Sequence, residues 1–199
     1  MANHSKTELN KIRLLNEGIE QFSKYGFNGI GLKDILGAVK IPKGSFYHYF
    51  ENKEDFGARV IDYYTEITQQ LLAETFANTN ASGLDALQQF FDMSIKMHLS
   101  VGNKHGCLAS NLGAEISHTS EVCRTAVERS MDITHDAFKV VIRRGQEDGS
   151  IRQDISSSVL ADILLNSFEG ALLRMKIEKS GEALAQFHEV MLGKFFAVN

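Results

Sequence analysis

Apolar residues recur at spacings of three and four along most of the chain, which is the period of amphipathic α-helices. The first such run spans Leu9 to Phe22 and is closed by Gly26, and Ser5 and Glu8 before it have the spacing of a capping box. Eight further runs follow, over residues 32–39, 42–50, 53–76, 84–101, 106–116, 120–147, 156–178 and 181–197. No alternating stretch indicates a β-hairpin, so the pattern predicts an all-α fold of about nine helices.

Turn and capping residues mark the ends of the early helices. Lys40–Ile41 forms a tight turn, and Pro42 can open a helix because the N–H it lacks would have no partner there. We expect this third helix to end near Tyr49–Phe50. Asn52 can cap the fourth helix, and Asp55 at its third position can make the reciprocal contact.

A long helix followed by two short ones across a tight turn is typical of a helix-turn-helix, here between Gly31 and Phe50. Phe46 and Phe50, four residues apart, supply an apolar inner face, and Gly44 lets the backbone approach DNA closely. Donors and flat ring edges face outward, namely Lys43, Ser45, Tyr47, His48 and Tyr49. The alternative interpretation of the aromatic run is a helix buried in a core.

Charge and composition agree with that interpretation. The net charge is −4, but residues 1–53 carry eight Lys or Arg against five Asp or Glu, which leaves the remainder at −7. A cationic end on an acidic body suits phosphate binding, although so small a difference can also arise by chance. The single proline favours a helical chain. No membrane span or signal peptide is recognised, and two cysteines are too few for a disulfide framework, so we expect a cytoplasmic protein.

Several motif pieces occur in a characteristic order: Gly26-Phe27, Leu32-Lys33-Asp34-Ile35, Pro42 to Phe50, and Asn52-Lys53-Glu54. Together they resemble the N-terminal signature of the TetR family of transcriptional regulators. The resemblance implies a helix-turn-helix DNA-binding domain over residues 1–52 and a helical regulatory and dimerisation domain over residues 53–199. It also implies a homodimer on near-palindromic, double-stranded operator DNA.

The same resemblance implies roles for individual residues. Base-edge or groove contacts fall to Lys43, Gly44, Ser45 and Tyr47. Phosphate contacts fall to Tyr47, His48, Tyr49 and Lys53, the last of which lies at a helix N-terminus that favours an anion. Two positions depart from the family pattern, since Gly31 and Pro42 stand where the family usually has Thr and Ser caps. The change at Gly31 puts one phosphate contact in doubt.

The penultimate helix is apolar on more than one face, because Leu165 and Leu173 widen the stripe that begins at Leu160. A stripe this wide predicts burial on two sides, one of them against a partner subunit. The resemblance implies that the last two helices form the dimer interface. The alternative is an ordinary core helix in a monomer.

Cys107 is the second candidate site. It begins a short helix after Lys104 and His105, and a helix N-terminus and nearby cations both lower the pKa of a thiol. Gly106-Cys107-Leu108 with Ala114-Glu115 resembles the TetR subgroup of the N-ethylmaleimide reductase repressor, which implies sensing of electrophiles or oxidants. The alternative is a small buried hydrophobe, which is the interpretation we prefer for Cys123.

Three further residues are grouped with Cys107 as candidate ligand- or redox-sensing residues, namely Asn111, Phe168 and Lys176, although for Lys176 we prefer the interpretation as a solvated charge. A pocket could also be lined by His98, Glu115 and Asn166, but periodicity does not show which way they face.

No metal, cofactor or enzymatic activity is expected, since phosphate loops, nucleophile elbows and metal-ligand spacings are not recognised. A thiol hydrolase and a helical adaptor without DNA binding are the competing classes. The sequence predicts a DNA-binding repressor that a small molecule or reactive electrophile releases from its operator. The alternative within regulators is a sensor of a non-covalent ligand that controls an efflux or metabolic gene, with Cys107 purely structural.

Overall fold

The computed structural model describes residues 6–77, 80–100, 102 and 106–198. Within them the chain forms nine α-helices and one π-helical segment, and the all-α prediction is confirmed. The bounds are α1 Lys6–Tyr25, α2 Leu32–Val39, α3 Lys43–Phe46, α4 Lys53–Phe76, α5 Gly83–Ser100, α6 Leu108–Ile116, α7 Glu121–Glu147, α8 Ser157–Glu178, α9 Glu182–Phe187 and the π-helical segment His188–Phe195.

Glycine and backbone caps end the first two helices. Gly26 follows α1 with φ +73°, a left-handed conformation that a side chain would strain, while the predicted cap Ser5 lies outside the described residues. Gly31 precedes α2 without a side-chain cap. After α2, Lys40 takes φ 56°, and its N–H bonds to the carbonyl of Gly37.

The third helix is shorter than the prediction that it ends near Tyr49–Phe50. Its α-helical residues end at Phe46, and the chain continues to Phe50 as a turn. The N–H of His48 bonds back to Ser45 and that of Tyr49 to Phe46, so each bond spans three residues and tightens the last turn. A glycine in a helix this short lowers its propensity.

The fourth helix matches its predicted bounds and cap. Asn52 Oδ1 accepts from the N–H of Asp55 at 2.9 Å. Asp55 Oδ2 accepts from the N–H of Glu51 at 3.0 Å, whereas the predicted donor is the N–H of Asn52, one residue later. A hydroxyl cap at Ser156 opens α8, since its side chain accepts from the N–H of Val159.

The last helix departs from the prediction, because α9 ends at Phe187 and the chain continues as a π-helix. The N–H of Phe196 bonds to the carbonyl of Met191, five residues back. Arg152 secures this end, since its backbone N–H donates to Phe196 O and its guanidinium donates to Phe195 O. These two contacts join the π-helical end to the loop between α7 and α8.

The described residues fall into two compact units, each with its own core. Unit 1 takes the described residues of Met1–Glu66 and Leu108–Ser130, and unit 2 those of Ile67–Cys107 and Met131–Asn199. The core of unit 1 centres on Phe56, and that of unit 2 on Phe91, whose ring lies within 5.5 Å of four other phenylalanine rings. The predicted boundary after residue 52 stays a prediction. None of the described helices is both long and apolar enough to cross a membrane.

Candidate DNA-binding surface and sensing residues

Two phenylalanines fix α3 to the core of unit 1. Phe46 and Phe50 are fully buried, their ring centroids lie 5.1 Å apart, and both rings also pack on Phe56. Burying two aromatic side chains contributes several kcal/mol, about 1.5–3 for each. This anchoring determines which residues of α3 and its following turn point outward.

The outward residues are those that the sequence predicts to contact DNA. We call them the α3 surface: Lys43, Gly44, Ser45, Tyr47, His48 and Tyr49. Lys43, Gly44, Tyr47 and His48 are exposed, and Ser45 and Tyr49 are half-buried. Tyr47 keeps 51% of its surface exposed, and its ring lies 6.0 Å from Lys43 Nζ. The alternative of an aromatic run wholly buried in the core does not fit these exposures.

Gly44 leaves a gap in this surface. A Cβ added there would meet no heavy atom within 4 Å, so nothing inside the protein requires glycine at this position. A bare backbone on an outward helix face permits the close approach of a ligand or of DNA.

An apolar groove of about 560 Å³ borders the α3 surface, and three lysines line it. These are Lys33, Lys40 and Lys43, all exposed and none paired with a carboxylate among the described residues. Sequence reasoning did not assign Lys33 or Lys40 a contact. The grouping depends on the turn at Lys40, whose positive φ no sequence pattern marks in a lysine.

Lys53 is the first residue of α4, as predicted, but its ammonium is already engaged. Lys53 Nζ donates to the carbonyls of Phe27 at 2.5 Å and Ile30 at 2.6 Å. Burial lowers the pKa of Lys53, and the Glu115 carboxylate opposes part of that shift. These two bonds use two of the three N–H groups of the ammonium.

Two family models match the chain and cover most of it. Residues 14–60 match the bacterial regulatory proteins of the tetR family, and residues 83–191 match the tetracyclin repressor-like C-terminal domain. The chain belongs to the TetR family of transcriptional regulators. The family assignment excludes the thiol hydrolase and the helical adaptor, and regulators of this family bind operator DNA and act as dimers.

Relatives and solved structures agree with the TetR assignment. The chain is 37% identical over 178 residues to the repressor DhaR of Mycobacterium sp. strain GP1, covering 89% of this chain and 88% of that one. The crystal structure of the regulatory protein TetR from Rhodobacter sphaeroides superposes with a TM-score of 0.88 at 31% identity, covering 95% and 100%. The reduced form of Escherichia coli NemR gives 0.86 at 28% identity, covering 94% and 96%. The resemblance to the subgroup of the N-ethylmaleimide reductase repressor, NemR, that the sequence predicts is therefore confirmed.

The two cysteines of this TetR protein have different surroundings, and neither forms a disulfide. Cys107 is half-buried against the core of unit 2, one residue before α6, while Lys104 and His105 lie outside the described residues. Cys123 is fully buried in unit 1, and its thiol donates to Glu54 O at 3.4 Å. Burial raises the pKa of Cys123, which disfavours its reactive thiolate.

The other predicted sensing residues are placed differently from one another. Phe168 is buried in unit 2, with its ring 4.9 Å from Phe91 and 6.2 Å from the buried His98. Lys176 is exposed on α8, as a solvated charge would be. Asn111 lies in unit 1, where its buried Nδ2 has no hydrogen-bond partner among the described residues.

A stripe of α8 faces outward although most of it is apolar. The α8 stripe consists of residues spaced three and four apart: Val159, Ile163, Asn166, Gly170, Leu173 and Ile177. Leu173 is 55% and Ile177 69% exposed, and a Cβ added at Gly170 would meet nothing within 4 Å. The opposite face of α8 is buried in unit 2, so this helix has two apolar sides, as the sequence predicts.

Proposed function

We propose that this chain is a repressor that occupies a near-palindromic operator as a homodimer, with the α3 surface of each protomer in the major groove. The observation that carries this proposal is the division of the third helix region into buried Phe46 and Phe50 and outward donors. Because its proposed target is DNA, we expect the protein to act in the cytoplasm. Two recognition helices on one face of a duplex require half-site centres roughly 34–36 Å apart, or a multiple of that distance.

Within each half-site, the side chains divide by chemistry. Lys43, Ser45 and Tyr47 carry donors that can reach base edges, and Gly44 admits the backbone. His48, Tyr49 and the third N–H of Lys53 supply phosphate contacts. These phosphate contacts release counterions, so operator affinity falls steeply as salt is raised.

The α8 stripe, together with the end of the chain, forms the proposed dimer interface. Exposed Leu173 and Ile177 are costly in water and are covered by the same stripe of a second copy around a two-fold axis. Gly170 at the middle of the stripe allows the two helices to approach closely. We propose the same division as the family resemblance implies, with residues 1–52 for DNA binding and residues 53–199 for regulation and dimerisation.

Release from the operator is proposed to begin at Cys107. Its sulfur, as thiolate, adds to an electron-poor carbon of an activated alkene, which forms an S–C bond and breaks the C=C π bond. The proton that leaves the thiol is balanced by one taken up at the neighbouring carbon. The half-buried position of Cys107 supports this role, because Cys123 is fully buried with a raised pKa.

A non-covalent inducer, with Cys107 purely structural, is the second candidate. The buried Nδ2 of Asn111 favours it, since this group has no acceptor among the described residues and a ligand oxygen would supply one.

The test uses N-ethylmaleimide as the probe and fluorescence anisotropy of an operator duplex selected from a random library. We expect the reagent to release the wild-type protein and Cys123→Ser, but not Cys107→Ser. Mass spectrometry should find one adduct per chain in the first two proteins and none in the third. Equal release of Cys107→Ser would exclude the covalent mechanism and leave the non-covalent candidate.

A further inference from the structure

The turn between α1 and α2, residues 26–31, is held by a side chain that is distant in sequence. Glu115 on α6 accepts from the N–H of Phe27 at 2.8 Å through Oε2 and from the N–H of Asn28 at 2.7 Å through Oε1. The partners are 88 and 87 residues apart in the chain. One carboxylate therefore binds two consecutive peptide N–H groups, and each bond is strengthened by its charge.

A cation holds the other side of the same peptides. Lys53 at the start of α4 donates to the carbonyls of Phe27 and Ile30, and its ammonium lies 4.5 Å from the Phe27 ring. Phe27 is thus bound at its N–H by α6 and at its carbonyl and ring by α4. The direction of the turn is fixed by both helices, and α2 begins directly after it at Leu32.

Glycine is required at residue 26 both by the space around it and by its backbone conformation. A Cβ at residue 26 would lie 2.6 Å from Glu115 Oε2, and the φ of +73° is itself unfavourable for other residues. The carboxylate therefore occupies the space that a side chain at residue 26 would need.

We propose that Glu115 is a positioning residue through which α6 sets the orientation of the helix-turn-helix for DNA. The proposal rests on the proposed DNA-binding function and adds the regulation of that surface. Glu115 lies in the last turn of α6, and the candidate sensor Cys107 directly precedes the first turn. Leu108, Leu112 and Ile116 bury the intervening face of α6 in unit 1, which fixes the position of the Glu115 carboxylate relative to the turn.

The decisive variant is Glu115→Gln, which keeps the shape of the side chain but presents an amide NH₂ to one of the two N–H donors. Glu66→Gln on the exposed face of α4 is the matched control, since it removes the same charge within unit 1. Each protein is measured by operator anisotropy at a temperature where circular dichroism shows it fully folded. Amide hydrogen exchange is followed at Phe27 and Asn28.

We expect Glu115→Gln to weaken operator binding about tenfold and to accelerate exchange at both amides, while Glu66→Gln behaves as wild type. Glu115→Asp, which keeps the charge but shortens the reach, should show a loss in the same direction and serves if the Gln variant does not fold. A purely stabilising role would lower the melting temperature and leave the affinity of the folded protein unchanged, which would overturn the proposal.

Operator binding and amide hydrogen exchange test the proposed function and the role of Glu115 separately. If the wild type binds no duplex, the proposed DNA-binding function is wrong. Unchanged amide exchange in Glu115→Gln would show, independently of DNA, that Glu115 does not stabilise the turn. Wild-type operator binding with normal affinity in Glu115→Gln would refute positioning alone.

Discussion

The α3 surface of unit 1 and the α8 stripe of unit 2 both face outward, yet their chemistry is opposite. The α3 surface presents an ammonium, hydroxyls and an imidazole around Gly44. The α8 stripe presents aliphatic side chains around Gly170. Each glycine leaves an open position that the protein itself does not fill.

The difference indicates two kinds of partner. Donors with a bare backbone between them suit base edges and phosphates, whose acceptors are fixed in space. An aliphatic stripe with a glycine at its middle suits another helix of the same kind. Each surface lies on an element whose opposite face is buried, which positions its exposed residues.

The largest effect is expected from placing two charges in the α8 stripe. Leu173→Glu combined with Ile177→Glu should convert the dimer to monomer and weaken operator binding about 100-fold or more, because a linked second half-site no longer contributes. Light scattering and operator anisotropy measure the two effects. Val140→Glu on α7, where 68% of the valine is exposed, is the control and should change neither. A dimer that survives both glutamates would place the interface elsewhere.

The two glycines permit a crossed comparison. Gly44→Leu should weaken operator binding about 10- to 100-fold while the protein stays dimeric, since the side chain obstructs the groove. Gly170→Leu should leave the isolated protomer folded and weaken dimerisation. Both substitutions meet open space within the protomer, so thermal unfolding should show no loss of core packing. The same phenotype for both variants would contradict the assignment of separate surfaces.

The salt dependence of operator affinity distinguishes a lysine of the α3 surface from an exposed lysine of α8. Lys43→Met should weaken operator binding and also reduce the slope of log affinity against log salt by up to about one, because an ammonium in the groove also neutralises nearby phosphate charge. Lys176→Met, on the exposed side of α8, should leave the slope unchanged. Unchanged affinity together with an unchanged slope in Lys43→Met would remove Lys43 from the DNA contacts.

The smallest effect comes from two lysines in left-handed conformation. Lys40 has φ 56° and Lys179 has φ 54°, and each follows the end of a helix. Replacing either with glycine should raise the free energy of unfolding by about 0.5–1 kcal/mol, as urea titration measures. Only Lys40→Gly should weaken operator binding, because Lys40 borders the α3 surface. An equal loss in Lys179→Gly would indicate a general effect of charge.

Local features of this chain were predictable from sequence because local chemistry determines them. α2 and α4 have their predicted bounds, and the cap at Asn52 and the inward positions of Phe46 and Phe50 follow from spacing alone. The resemblance to the TetR family was recognisable for the same reason, since each piece of its signature is a short continuous segment.

Contacts over long sequence separations were not predictable. The sequence presents Glu115 as part of a family-like motif and as a pocket candidate, because helical periodicity gives a face but not the neighbour of that face. Its partners at residues 27 and 28 lie in another part of the chain. The contact of Arg152 with Phe195 at the π-helical end, 43 residues away, is of the same kind.

The most direct test of the central claim is selection of duplexes from a random library by the full-length protein, followed by sequencing. We predict enrichment of a near-palindrome whose half-site centres lie about 34–36 Å apart or a multiple of that. Tyr47→Ala, a change on the exposed part of the α3 surface, should lose the enrichment while remaining dimeric. No enrichment by the wild type at low salt, or equal enrichment by Tyr47→Ala, would contradict a regulator that reads DNA through this surface.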